Sequence, residues 1–179
     1  MPELVRPDAR WMASFIDALR EGYDRDNLRP ETPETIAGVA ADPQAYVESA
    51  RRPPTTITLP DGTLGPAVPS TLLWWVEGEE FLGSLGVRHE LNATLEVVGG
   101  HVGYAVRPSA RGQGHATAIL AAGLVWVRGN LPLTRVLLTA SADNPHSVRV
   151  IAKNGGVHTR TVPHLWRPGE EAMHFWIEL

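Results

Sequence analysis

Residues 103–116 read Gly103-Tyr104-Ala105-Val106-Arg107-Pro108-Ser109-Ala110-Arg111-Gly112-Gln113-Gly114-His115-Ala116. The apolar run that closes at Val106 reads as the end of a strand. A short polar link follows, and Gly114 to Arg128 reads as a helix with Ile119, Leu120, Gly123, Leu124 and Val127 on one face. A helix start carries unpaired N–H groups and a partial positive charge. Placed behind Gly112 and Gly114, with Arg111 as a fixed cation, it is a phosphate-binding arrangement. Three readings compete. A Walker loop needs Gly-Lys-Ser/Thr after four intervening residues, which is absent. A dinucleotide fingerprint needs Gly or Ala where Thr117 stands. The third reading is Arg-x-x-Gly-x-Ala between a strand and a helix, and it fits Arg111 to Ala116.

Downstream, Arg135 to Ala140 is apolar on both faces, which predicts a central parallel strand. Asp143-Asn144-Pro145 caps another helix, which ends at Gly155-Gly156. His158 to Val162 and Ala172 to Leu179 read as two antiparallel strands around residues 163–171. Upstream, Ser70 to Val76 and Phe81 to His89 are strands about the turn Glu77-Gly78-Glu79, and Thr94 to Val98 and His101 to Val106 continue the sheet. Leu4 to Arg6 is a short first strand, and Asp8 to Gly22 a helix carrying Trp11, Phe15, Ala18 and Leu19. Residues 23–41 read as irregular, Asp42-Pro43 opens a helix to about Arg51, and Pro53 to Pro69 is a long loop. The class expected is α+β (mixed α/β) in one domain over residues 1–179: a mostly antiparallel sheet with one strand-helix-strand unit, flanked by helices.

Composition bounds the rest. The chain has 179 residues, 43% hydrophobic and 20% charged, as in an ordinary globular protein. A formal net charge of -4 argues against sequence-independent nucleic-acid binding. Without cysteine there is no disulfide, thiol nucleophile or Cys-ligated zinc. The Met1-Pro-Glu-Leu-Val-Arg6 start has no signal pattern, and the apolar stretch Ala118 to Val127 is too short to span a bilayer. These points suggest a cytoplasmic protein acting without metal, nucleic acid or membrane.

The motif Arg111-x-x-Gly114-x-Ala116 resembles the acyl-CoA pyrophosphate loop of the GNAT superfamily of N-acetyltransferases. Asn144-Pro-His-Ser147 resembles the family's element beside the pantetheine arm, and Gly100 to Pro108 its fourth strand. The resemblance covers residues 70–179 best and is greatest to a bacterial subgroup of acetyltransferases. It implies acetyl-CoA as co-substrate, direct attack by a primary amine in a ternary complex, and the GNAT fold. It places the thioester beside Ala105 and Val106, the pyrophosphate on Arg111, Gly112, Gln113, Gly114, His115 and Ala116, and the pantetheine near Asn144 and Ser147.

A lysine-like amine must lose a proton before attack, and His101 is the leading base, with Glu96 and His89 behind it. Trp75 and Arg88 are candidates for lining the acceptor site. The family's acidic Tyr in the last helix aligns with Ile151, which leaves the general acid unassigned. The acceptor expected is a small-molecule amine: an amino acid, a polyamine or an aminoglycoside-like compound. A protein N-terminus or lysine is the alternative acceptor, and a non-catalytic acyl-CoA sensor the alternative class. Dimers are common in the family, so a homodimer is an admissible assembly.

Overall fold

A computed structural model describes residues 1–25, 30–52, 54–58 and 62–179. Five helices of a full turn or more are described: α1 (Met12–Arg20), α2 (Pro33–Ala41), α3 (Pro43–Arg51), α4 (His115–Asn130) and α5 (Pro145–Lys153). The strands are β1 (Glu3–Val5), β2 (Thr56–Thr58), β3 (Leu64–Pro66), β4 (Ser70–Glu77), β5 (Glu80–Arg88), β6 (Val102–Val106), β7 (Arg135–Ser141), β8 (Val157–Pro163) and β9 (Glu171–Glu178). They form a four-stranded sheet in the order β1-β4-β5-β6, a β2-β3 pair and a three-stranded sheet in the order β7-β9-β8. This is the mixed α+β arrangement expected from the sequence.

The contacts divide the chain into two compact units. The first comprises Met1–Arg52, Leu72–Leu85 and Tyr104–Ala122. Its core is aromatic: Phe15 stacks on Trp74 at 4.7 Å and meets Phe81 edge-on at 5.0 Å. Helix α1 buries Met12, Phe15, Ile16 and Leu19, the 3–4 spacing that makes one apolar face. It stops at Gly22, which has φ +90°, and the Tyr23 N–H returns to the Ala18 carbonyl at 2.9 Å as in a Schellman ending.

The second unit comprises Pro53–Thr71, Gly86–Gly103 and Gly123–Leu179. Strand β9 pairs antiparallel with β7 on one side, Leu137 opposite Trp176, and with β8 on the other. Val136, Leu138, Phe175 and Ile177 are buried on one face of this sheet. Helix α5, which buries Ile151, packs against β7. Asn144 caps α5 by accepting the Ser147 N–H at 3.1 Å.

Four local expectations are corrected. Residues 33–41 are helical because Thr32 and Thr35 form a reciprocal capping box, with Thr at the position where Glu or Gln is usual. Within the loop expected over Pro53 to Pro69, β2 and β3 pair antiparallel, with Ile57 opposite Gly65. Residues 26–29, 53 and 59–61, which fall in those two stretches, lie outside the described residues. Residues 94–98 form turns, because Asn92 accepts the Leu95 N–H through its side chain and the Glu96 N–H through its carbonyl. Finally, the ladder partner of β7 is the antiparallel β9. Burial on both faces made Arg135 to Ala140 look parallel, but an antiparallel strand covered on both faces has the same composition.

Candidate active site

In the first unit, β6 runs out at Val106 and the chain turns through a 3₁₀ segment, Pro108–Ala110, into the loop before α4. Arg107 anchors this turn. Its Nε lies 3.0 Å from both carboxylate oxygens of Glu21, its Nη2 also donates to Glu21, and its Nη1 donates to Ser14 Oγ at 2.9 Å. Glu21 further accepts the Ser109 N–H at 3.4 Å. The Arg107 guanidinium and the Ser109 contact hold the Glu21 carboxyl down at about 2. Arg107 is correspondingly raised by its bond to Glu21. Neither residue was singled out from sequence, since Glu21 lies 86 positions from Arg107; the Arg-Pro pair after a strand was the only local hint.

The loop carries the expected conformations. Gly112 has φ +78° and Gly114 φ +86°, values that side-chain-bearing residues rarely adopt. A Cβ built on either meets no atom within 4 Å, so the backbone there faces open space. Arg111 donates from Nε to the Val106 carbonyl at 3.2 Å, which ties its guanidinium to the strand end and leaves its terminal nitrogens with no hydrogen bond among the described residues. Gln113 donates from Nε2 to the Ser109 carbonyl at 3.2 Å. His115 opens α4 and accepts the Trp75 indole N–H on Nδ1 at 3.2 Å. A neutral imidazole accepting on Nδ1 bears its hydrogen on Nε2. The structure therefore brings together Trp75, Ala105, Val106 and residues 111–116, with Trp75 against the loop helix. Both tryptophans are buried, Trp74 in the aromatic core and Trp75 against His115.

In the second unit, His101 is buried, 7% exposed. Its backbone N–H donates to the Leu137 carbonyl at 2.7 Å, and its Nδ1 accepts the Leu137 N–H at 2.9 Å. The imidazole thus serves as a strand-pairing partner for β7. Burial, and then the Arg88 charge, push its pKa down, so it stays neutral near pH 7. Gly100, with φ +62°, makes this approach: a Cβ there would lie 2.4 Å from the Leu137 carbonyl oxygen. Arg88 donates from Nη1 to the Gly99 and Gly100 carbonyls at 3.3 and 3.0 Å. His89 Nε2 lies 3.0 Å from Thr71 Oγ1.

Glu96 is exposed and lines a cavity of about 380 Å³ together with Leu91, Leu137, Arg160, His174 and Trp176. The His101 ring lies 6.2 Å from that of Trp176. His101 thus neighbours two lining residues, Leu137 and Trp176, without lining the cavity itself. Asn144 Oδ1 is engaged in capping α5. Sequence reasoning missed Arg160 and His174: Arg160 lies within the polar run His158 to Thr161, which gives it no distinguishing signal, whereas His174 is a polar residue inside the apolar run Ala172 to Ile177. Among the described residues no group of three or more His, Asp or Glu is close enough to hold a metal ion, and no helix is long and apolar enough to cross a membrane.

The sequence profile of the acetyltransferase (GNAT) domain matches residues 27–157. No curated protein sequence matches the chain. Among solved structures, Mycobacterium smegmatis RimJ in complex with CoA-disulfide superposes with a TM-score of 0.68 at 18% identity, over 98% of this chain and 80% of that one. The aminoglycoside acetyltransferase AAC(6')-Ib in complex with coenzyme A and kanamycin gives 0.60 at 15% identity, over 99% and 95%. A chimera of the spermidine N-acetyltransferase SpeG from Vibrio cholerae and hSSAT gives 0.60 at 13%, over 99% and 95%. At these identities the likeness is one of fold. The profile match covers well over half of the chain and carries the residues of the glycine loop, and the chain belongs to the GNAT family of acetyltransferases.

Proposed function

We propose that the protein transfers the acetyl group of acetyl-CoA to a primary amine of a small molecule. The observation that carries this reading is the loop at residues 111–116. Two positive-φ glycines, open space above them and an anchored Arg111 precede the N–H groups that start α4, a donor set suited to a pyrophosphate. The residues present therefore fit coenzyme A. Bound there, acetyl-CoA supplies an activated acyl group. Residues 113–116 and Arg111 would hold the pyrophosphate, and His115 would add an Nε2–H whose direction Trp75 fixes. A backbone N–H of Ala105 or Val106 would polarise the acyl carbonyl, an oxyanion-type contribution of several kcal/mol.

The acceptor amine must be neutral to attack. For a lysine-like amine this costs about 4–5 kcal/mol at pH 7. Of the three candidate bases, Glu96 is best supported. It lines a cavity and its carboxylate has no ion pair among the described residues. His101 has its Nδ1 committed to the Leu137 N–H, which favours an orienting role. His89 is bonded to Thr71. A small amine is favoured over a protein acceptor because the cavity is of small-molecule size.

Calorimetric titration tests this reading. Acetyl-CoA should bind the wild-type protein, and binding should disappear in Gly114→Trp, which strains the loop and fills the space above it. Absence of binding to the wild-type protein would refute the proposal.

A further inference from the structure

The cavity in the second unit has a chemistry of its own. Two of its lining groups are ionic and of opposite sign, Glu96 and Arg160, yet they form no salt bridge with each other or with any other described residue. Arg160 is held in place. Its Nε donates to His174 Nδ1 at 3.2 Å, and its Nη2 donates to the Glu96 backbone carbonyl at 3.3 Å. His174 is in turn fixed: it is 1% exposed, and its Nε2 lies 2.8 Å from the Val97 carbonyl, to which it donates. That bond sets the tautomer that leaves Nδ1 as an acceptor for arginine. The guanidinium is thereby orientated from behind. Its Nη1, and the second hydrogen of Nη2, form an end-on fork with no partner among the described residues. Such a fork matches a carboxylate.

The remaining walls are Leu91, Leu137, the Trp176 indole and Thr159, whose hydroxyl donates to the His174 carbonyl at 3.4 Å, so they are mainly apolar. Arg135 lies over the Trp176 ring, 4.3 Å from its centroid, and adds a second positive charge beside the cavity. One carboxylate and two guanidinium groups disfavour a polycation, while a single ammonium paired with an anion is matched. The volume, about 380 Å³, is at the lower end of the range for small-molecule sites, roughly 300–1,000 Å³.

We infer that this cavity binds a small zwitterion of amino-acid or dipeptide size, with Glu96 holding its ammonium, Arg160 its carboxylate, and Leu91, Leu137 and Trp176 its apolar part. That the ammonium held by Glu96 is the group acetylated rests on the N-acetyltransferase reading; the binding itself does not.

The test uses the full chain without acetyl-CoA and four probes followed by ligand-observed NMR. These are L-leucine, L-leucinamide without the carboxylate, 4-methylpentanoate without the ammonium, and spermidine. L-leucine should bind, and each single-charge probe should bind about 10-fold more weakly. Arg160→Gln should erase the difference between leucine and leucinamide while keeping that between leucine and 4-methylpentanoate. Glu96→Gln should do the reverse, and Arg160→Lys should restore part of the carboxylate preference. Both positions are exposed, so the variants should melt with the wild-type protein. No leucine binding at tens of millimolar, tighter binding of spermidine, or an equal loss for all four probes in either variant would overturn the inference.

The two readings fail separately. Charge-selective binding without acetylation of any bound amine would refute the acceptor assignment and leave the cavity assignment standing. Acetylation of an amine that is indifferent to both substitutions would do the opposite.

Discussion

Glu21→Gln removes the charge that fixes the entrance to the glycine loop. In the folded protein the Glu21 carboxyl is held at about 2, against an ordinary value of 4.5. A depression of that size corresponds to at most about 3–4 kcal/mol at neutral pH. About a third of the Glu21 side chain is exposed, with 15% of Arg107. Solvent screening therefore reduces the expected contribution to about 1–2 kcal/mol. The sign follows from the direction of the shift. A carboxylate with a depressed folded-state pKa stabilises fully above the unfolded value and loses that effect as pH falls through the folded value. The window here runs from about 4.5 down to about 2. Urea unfolding of the wild-type protein and Glu21→Gln should differ by about 1–2 kcal/mol at pH 7. By pH 3 that difference should fall to less than half. In thermal melts near neutral pH the variant should lose roughly 3–6 °C. Equal stabilities at pH 7, or a deficit as large at pH 3 as at pH 7, would refute the clamp.

Three further outcomes are expected. Trp75→Phe keeps an aromatic ring but deletes the donor to His115, so acetyl-CoA should bind about 3–10-fold more weakly by calorimetry, with an unchanged far-UV spectrum; unchanged affinity would separate Trp75 from the loop. Asn144→Ala removes the α5 cap and should cost about 1 kcal/mol, read as a shift of a few degrees in the melting temperature. His101→Ala leaves the buried Leu137 N–H without its side-chain acceptor and should cost at least about 1–3 kcal/mol in urea unfolding; a neutral result would show that a water replaces the imidazole.

The parts of this protein legible in its sequence are those fixed by local chemistry. The loop from Arg111 to Ala116 was readable because positive φ and an open approach both demand glycine at fixed positions. Helix α5 was readable because Asn144-Pro145 starts it and Gly155-Gly156 stops it. What escaped depends on partners distant in sequence. Glu21 meets Arg107 across 86 positions, and Arg160 is aimed by His174, which is itself fixed by Val97, 77 positions away. His101 was legible as a conspicuous residue of its strand, but its commitment to the Leu137 N–H follows only from the register of β7. Residues 94–98 differ from expectation for a local reason: their β-prone residue types are overridden by Asn92, three positions before Leu95, which turns the chain.

The most direct test of the central claim is release of free thiol from acetyl-CoA, measured for wild-type protein and Gly114→Trp against a panel of amino acids, dipeptides, polyamines and aminoglycosides. The account predicts release that depends on one class of amine and disappears in the variant. Binding of acetyl-CoA with no release in the presence of any amine, peptides included, would contradict it and leave an acyl-CoA-binding protein without transferase activity.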